Sequence, residues 1–178
     1  MNLDWLTEDT WIIADTHFFH VNIQKYANRP ANHMELMISA WNQLVQPDDN
    51  ILHLGDVFLG KREQIEEIAP LLRGNKFLIK GNHDSRKKLH KLLGFTCFEE
   101  DELLFKRFGK FLLIFSHVPI HKIKHPLTYN IHGHIHQRNS PTENHVNMCV
   151  EVREYRPWRL GSILQEIEER HKAKSNSG

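Results

Sequence analysis

Short apolar runs punctuate this chain, and each is followed at once by polar residues. Trp11–Ala14, Ile51–Leu54, Phe77–Lys80, Phe111–Phe115 and Tyr129–His132 are all β-rich and too short for helices, so they read as buried strands. In the first half, apolar residues between these runs recur at helical spacing. Met34, Met37, Ile38, Trp41, Leu44 and Val45 predict a helix closed by Pro47-Asp48-Asp49, with Met37 and Trp41 in the core. Ile65, Ile68 and Leu72 predict a second, interrupted by Pro70 and ended near Gly74. Ser85 is placed to cap a short basic helix, Arg86–Leu93, stopped by Gly94. Strands alternating with helices argue for βαβ units.

The second half is richer in strands. Leu103–Phe108, Lys110–Phe115, Tyr129–His132 and Val146–Val152 are strand-like, with Phe108-Gly109-Lys110 a tight hairpin turn. Leu160, Ile163, Leu164 and Ile167 mark a last amphipathic helix, and the polar tail His171–Gly178 reads as disordered. The expectation is an α/β (α+β) chain with two sheets face to face and helices outside, a single domain over residues 1–170.

The residues at the ends of the runs carry the chemistry. Asp15-Thr16-His17, Gly55-Asp56, Gly81-Asn82-His83-Asp84, Ser116-His117 and Gly133-His134-Ile135-His136 each follow a strand. Open α/β sheets bind ligands at the carboxyl ends of their strands. Asp15, His17, Asp56, Asn82, His117, His134 and His136 are seven mixed oxygen and nitrogen ligands with no thiolate. That set suits a borderline cation rather than a structural zinc or a magnesium-only site. Seven ligands exceed one tetrahedral ion and match two ions that share Asp56. The glycines at positions 55, 81 and 133 let the backbone turn sharply or approach the ions closely.

Composition narrows the picture only a little. The 178 residues are 40% hydrophobic and 25% charged, with a net charge of +1. No global field therefore draws the chain to nucleic acid or an acidic membrane, and no stretch is long and apolar enough for a membrane span. The start, Met-Asn-Leu-Asp-Trp, has no basic or apolar leader, so a cytoplasmic location is expected. Cys97 and Cys149 read as buried free thiols. Fourteen histidines are the outlier. His53 and His132 lie in strands and read as core groups or partners of ligands; His20, His33, His90, His121, His145 and His171 read as loop or surface residues.

In kind and order, these five clusters resemble the calcineurin-like metallophosphoesterase superfamily. Within it, Thr16-His17-Phe18, Asn22-Ile23, Asn28-Arg29-Pro30 and Ser116-His117-Val118-Pro119 are similar to a small bacterial and phage branch of uncharacterised phosphoesterases. The resemblance implies a four-layer αββα sandwich of two mixed sheets flanked by helices, with the site above the strand ends. It implies one ion held by Asp15, His17, Asp56 and His136, and a second held by Asp56 (bridging), Asn82, His117 and His134. Manganese is the first expectation for both, with iron, zinc, nickel and cobalt as alternatives.

The implied reaction is hydrolysis of a small phosphate ester or nucleotide, a phosphodiester before a monoester, by attack of a metal-bridging hydroxide. Asp56 and His83 are then the catalytic residues, with His83 protonating the leaving group or stabilising phosphoryl oxygens. Arg29, Asn82 and His83 are the candidate substrate contacts. His125, with Lys122 and Lys124, is a further candidate phosphate contact, although the lysine pair reads more readily as a solvated face. One departure stands out: where many members carry an acidic or polar residue three positions after the bridging aspartate, this chain has Leu59. That leaves Asp84 or a loop carboxylate to hold His83. Two other classes are a nuclease on polymeric DNA or RNA, disfavoured by the near-zero charge, and a non-catalytic scaffold, disfavoured by the intact ligand set.

Overall fold

A computed structural model of the chain describes residues 2–84, 93–99 and 102–176. The short basic helix expected over Arg86–Leu93 falls almost wholly outside them. Among the described residues, nine strands form two sheets. The first has five strands in the order β4 (Phe95–Phe98), β3 (Asn75–Ile79), β2 (Asn50–His53), β1 (Trp11–Ile13) and β9 (Trp158–Arg159). The second has four in the order β5 (Leu104–Phe108), β6 (Phe111–Ser116), β7 (Thr128–His132) and β8 (His145–Asn147). Both sheets are mixed. The β1–β4 neighbours are parallel and β9 is antiparallel to β1; β6, β7 and β8 are parallel, and the β5–β6 hairpin is antiparallel. Phe108 pairs with Phe111 around Gly109, whose φ of 53° suits the expected tight turn.

Period-two alternation sends the two faces of the first sheet into different cores. Trp11, Ile13, Ile51, Leu78 and Phe95 pack with Met37 and Trp41 of α2 (His33–Leu44) and with Ile65 of α3 (Arg62–Ile68). Trp41 is fully buried and its indole N–H donates to the Arg73 carbonyl at 2.9 Å. Its truncation to alanine would cost about 3–5 kcal/mol. Pro70 enters a 3-10 turn, Ala69–Leu71, and Gly74 follows with a φ of 94°. On the opposite face Ile12, Leu52, Ile79 and Phe98 meet Leu104, Leu113, Phe115, Tyr129, Ile131 and Val146 of the second sheet.

Leu160, Ile163 and Ile167 of α4 (Leu160–Asn176) join this inter-sheet core. The helix runs on to Asn176, so the disordered tail expected from His171 is instead helical over residues 171–176. Side-chain tethers account for this: Arg170 donates to the His145 carbonyl and Lys174 to Asn144 Oδ1. Among the described residues no helix is long and apolar enough to cross a membrane.

Further features of the fold have local causes. The polar loop Phe18–Pro30 contains a short helix, α1 (Ile23–Ala27), that buries Ile23 and Ala27. The strand expected over Val146–Val152 stops at Asn147 because the chain leaves the second sheet there. Cys149 bridges to Ala14 of the first sheet, and Val150–Val152 form a 3-10 turn. His33 and His145 are buried rather than superficial; His33 Nδ1 donates to the Pro30 carbonyl, and His145 Nε2 donates to that of Ile120. Cys97 and Cys149 are free thiols, Cys149 buried and Cys97 half-buried.

Candidate metal centre

Strand register alone brings the clusters together. Ile13 pairs with His53 and His53 with Leu78, so the segments leaving β1, β2 and β3 start side by side. Ser116 pairs with His132 across β6 and β7, which aligns His117 with the Gly133 loop. Hydrogen bonding continues past the strands into the loops. Asp15 N–H donates to the Gly55 carbonyl, His17 N–H to that of Asp56 and Gly133 N–H to that of His117. The two sheets are joined at this rim: His134 N–H donates to Asp15 Oδ2 at 2.8 Å, and His117 Nδ1–H to the Leu54 carbonyl at 2.7 Å.

The ligand loops bend in an uncommon way. Asp15, His17, Asp56, His134 and His136 all have positive φ, between 46° and 72°. They are five of the nine non-glycine residues of that kind among the described residues. Such residues cost about 1–3 kcal/mol each and concentrate at functional sites. Three glycines make the close approach possible. A β-carbon on Gly81 would stand 2.2 Å from Asp56 Oδ1, one on Gly133 2.3 Å from Asp15 Oδ2, and one on Gly55 2.4 Å from His117 Nδ1.

The side chains converge as follows. Asp56 Oδ2 lies 3.4 Å from His17 Nε2 and 3.6 Å from His117 Nε2. Asn82 Oδ1 is 3.1 Å from both His117 Nε2 and His134 Nδ1. Asp15, His17 and His136 form one trio whose ligand atoms lie within 4.8 Å of one another, and Asp15, Asp56 and His117 form another. All seven sequence-predicted ligands are therefore gathered at one rim. Asp15, His17, Asp56 and His117 are buried, His134 and His136 half-buried, and Asn82 and His83 exposed. The ring of His83 stands edge-on to that of His17, with centroids 5.5 Å apart.

These residues fit cations better than they fit one another. The Leu54 carbonyl can only accept, so His117 carries its proton on Nδ1, and the Nε2 lone pair faces the Asp56 and Asn82 oxygens. Asp15 Oδ1 and both ring nitrogens of His17 are buried without hydrogen-bond partners. Each such group costs about 1–3 kcal/mol when left unpaired, and a divalent ion would satisfy Asp15 Oδ1 together with the His17 nitrogen that faces Asp56. Burial, reinforced by the Asp56 charge, raises the Asp15 carboxyl to about 6 against the pull of His117 and the His134 N–H. Burial, helped by nearby Arg29 and His136, lowers His17 to about 2, so it is a neutral donor. Burial also lowers His132 to about 4. His132 and His53 do prove to be core partners: His132 contacts the Gly133 carbonyl and Ser140, and His53 meets Thr16.

Arg29 is not where a substrate contact should be. Its side chain is wholly buried, and its guanidinium donates to the carbonyls of Asp15 and Thr16 and to Glu151 Oε1. Expecting it to grip substrate phosphate is corrected by that engagement. Lys122 and Lys124 are exposed, as a solvated face would be. Asp84 accepts main-chain hydrogen bonds on both oxygens, from Asp56 (2.6 Å) and Gly81 (2.9 Å) on one and from Val57 (3.1 Å) on the other. It ties the second and third ligand loops together, a role the sequence reading did not foresee. Glu151 was also missed. A lone carboxylate inside the apolar run Val146–Val152 was its available signal, because a charge in such a run needs a buried partner.

Comparison with known proteins agrees with this geometry. The family model of calcineurin-like phosphoesterases matches residues 9–172. An uncharacterised protein of Methanocaldococcus jannaschii is 33% identical over 174 residues, covering 89% of this chain and 90% of that protein. The gene 66 protein of Mycobacterium phage L5 is 32% identical over 96 residues, covering 48% of this chain and 46% of the phage protein. A crystal structure of a protein of unknown function from Aquifex aeolicus superposes with a TM-score of 0.66 at 26% identity, over 83% of this chain and 93% of that one. With the match spanning nearly the whole fold and every ligand loop, the chain belongs to the calcineurin-like phosphoesterase family.

Proposed function

We propose that this protein is a dinuclear-metal phosphoesterase that hydrolyses small phosphodiesters. Family membership supports a phosphate-ester hydrolase that uses divalent ions. The observation that carries the two-ion reading is the position of Asp56, whose Oδ2 stands between His17 and His117 at 3.4 and 3.6 Å. One half of the centre would be Asp15, His17, Asp56 and His136, the other Asp56, Asn82, His117 and His134. A pair of divalent ions there, manganese foremost, would lower the pKa of a water and take up charge on the phosphoryl oxygens.

The chain's own groups supply the rest. The buried ligands form the floor and the exposed Asn82 and His83 the mouth. His83 is pinned through its main-chain N–H, which donates to Asp56 Oδ1 at 2.9 Å. Its imidazole is thus held at the open side, where it would give a proton to the departing alkoxide oxygen. Asn82 would help orient the phosphate. The commitment of Arg29 to Glu151 and main-chain carbonyls favours a diester, because a dianionic monoester makes the greater demand for a free cationic fork.

The test is direct. Chelator-stripped protein should be inactive on bis-p-nitrophenyl phosphate and regain hydrolysis with manganese, at a higher kcat/KM than on p-nitrophenyl phosphate. Inactivity on every ester with each of manganese, iron, zinc, nickel and cobalt restored would refute the reading.

A further inference from the structure

Four separated stretches of the chain meet beneath one half of the centre. Arg29 Nη1 donates to the Thr16 carbonyl at 2.6 Å and Nη2 to the Asp15 carbonyl at 2.5 Å. The same guanidinium donates to Glu151 Oε1 through Nε (2.8 Å) and Nη2 (2.6 Å). Glu151 Oε1 also accepts from His136 Nδ1 at 2.9 Å. The side chains of Arg29 and Glu151 are 0% and 4% exposed, so water does not compete for these bonds.

We propose that Glu151 and Arg29 are positioning residues that orient His136 and brace the Asp15–His17 corner, and so set the metal affinity of that half of the centre selectively. The inference rests on the dinuclear reading above. A carboxylate accepts and never donates when ionised, so Glu151 fixes the His136 proton on Nδ1 and leaves the lone pair on Nε2 for an ion. The ring cannot rotate freely about this contact, because Asn147 Nδ2 holds the His136 carbonyl at 2.7 Å and the ring stacks on that of His17 at 5.3 Å. Arg29 does the complementary work on the backbone. Asp15 and His17 have φ of 56° and 46°, and the guanidinium fork spans the two carbonyls of this bent segment.

The pair also explains itself electrostatically. A buried guanidinium needs a buried anion, and Glu151 supplies it without drawing on the ligand carboxylates Asp15 and Asp56. The other half of the centre is held differently: His117 is oriented by the Leu54 carbonyl and the Asp56 loop by Asp84. Disruption of Glu151 should therefore be felt on one side only.

The experiment is a Co²⁺ titration of the chelator-stripped full chain, followed by calorimetry and visible absorption, for wild type, Glu151→Ala, Glu151→Gln and Arg29→Lys. Wild type should bind two ions. Glu151→Ala should weaken one class of ion about 10–100-fold and alter its absorption band, while the other class keeps its affinity and spectrum. Glu151→Gln, which retains an acceptor oxygen for His136, should recover part of the loss, and also serves if the alanine variant does not fold. Arg29→Lys, which keeps the charge and loses the fork, should weaken the same class. Unchanged affinities in both Glu151 variants would overturn the inference, as would equal weakening of both classes. A wild type that takes up no second ion would overturn the dinuclear reading itself, and this inference with it, on the wild-type isotherm alone.

Discussion

Gly81 and Asp56 are packed so closely that a β-carbon at position 81 would lie 2.2 Å from the carboxylate Oδ1 and 2.6 Å from the Asp56 main-chain nitrogen. Neither atom can yield, because Asp56 Oδ1 accepts the His83 N–H and the Asp56 N–H is bound to Asp84. The glycine therefore serves the placing of the Asp56 carboxylate rather than a turn. Gly81→Ala should displace Asp56 and abolish divalent-ion binding, while overpacking costs about 1–3 kcal/mol of stability. Calorimetric titration with Mn²⁺ beside a thermal melt checks this; a folded variant with wild-type affinity would contradict it.

His83 touches the centre through its main-chain N–H, and its exposed ring is free to act at the mouth. His83→Ala should lower kcat on a diester by about 10²–10⁴ and leave the ion stoichiometry at two. Loss of metal together with activity would show that the ring supports the ligands instead.

Metal uptake should be linked to protons in a defined way. Burial first, then the charge of Asp56, raises Asp15 to about 6, so at pH 5 the apoprotein carries a proton there that an ion must displace. His136 is raised as well: burial acts to lower it, but the hydrogen bond and charge of Glu151 prevail. His17, lowered to about 2 chiefly by burial, is neutral throughout and releases nothing. Apparent Mn²⁺ affinity should fall from pH 8 to pH 5 with growing proton release, measurable by calorimetry in buffers of different ionisation enthalpy. Zero release at pH 5 would be the contrary result.

Glu166 offers an acid-stability test away from the centre. Burial alone would raise its carboxyl, but the hydrogen bond and charge of Arg153 and the charge of Arg170 hold it below the ordinary value of 4.5. The unfolded chain then binds this proton more readily than the folded one. The contribution is complete above the unfolded value and is lost as pH falls through the lower folded value. Glu166→Gln should thus lower Tm at pH 7 and narrow its gap from wild type below pH 4. A gap that stays constant with pH would assign the effect to packing.

Ion binding should also stabilise the fold, since it satisfies Asp15 Oδ1 and the His17 nitrogen that faces Asp56. At a free Mn²⁺ concentration 100 times Kd the gain is about 2.7 kcal/mol per site, visible as a rise in Tm that chelator reverses. An unchanged Tm at saturating metal would count against the centre.

The residue pattern by itself determined most of the elements and the candidate ligand residues. Period-two runs such as Trp11–Ile13 and helical spacing such as Met37–Trp41 are local consequences of burying one face, so they are written in neighbouring residues. The kinds of ligand, and the glycines before them, were legible for the same reason: coordination chemistry restricts residue type. What only the tertiary structure decided is where each group's hydrogen bonds go. Arg29 looked like a phosphate contact until Glu151, 122 positions away, was found at its guanidinium. Asp84 proved to be a main-chain tie between loops, and the run through Val152 broke at Asn147 because it crosses from one sheet to the other. The helical continuation past His171 likewise depends on Asn144 and His145. Such partners are distant in the chain and set by packing, and an unpaired buried polar group is costly, so they become known only when the whole molecule is folded.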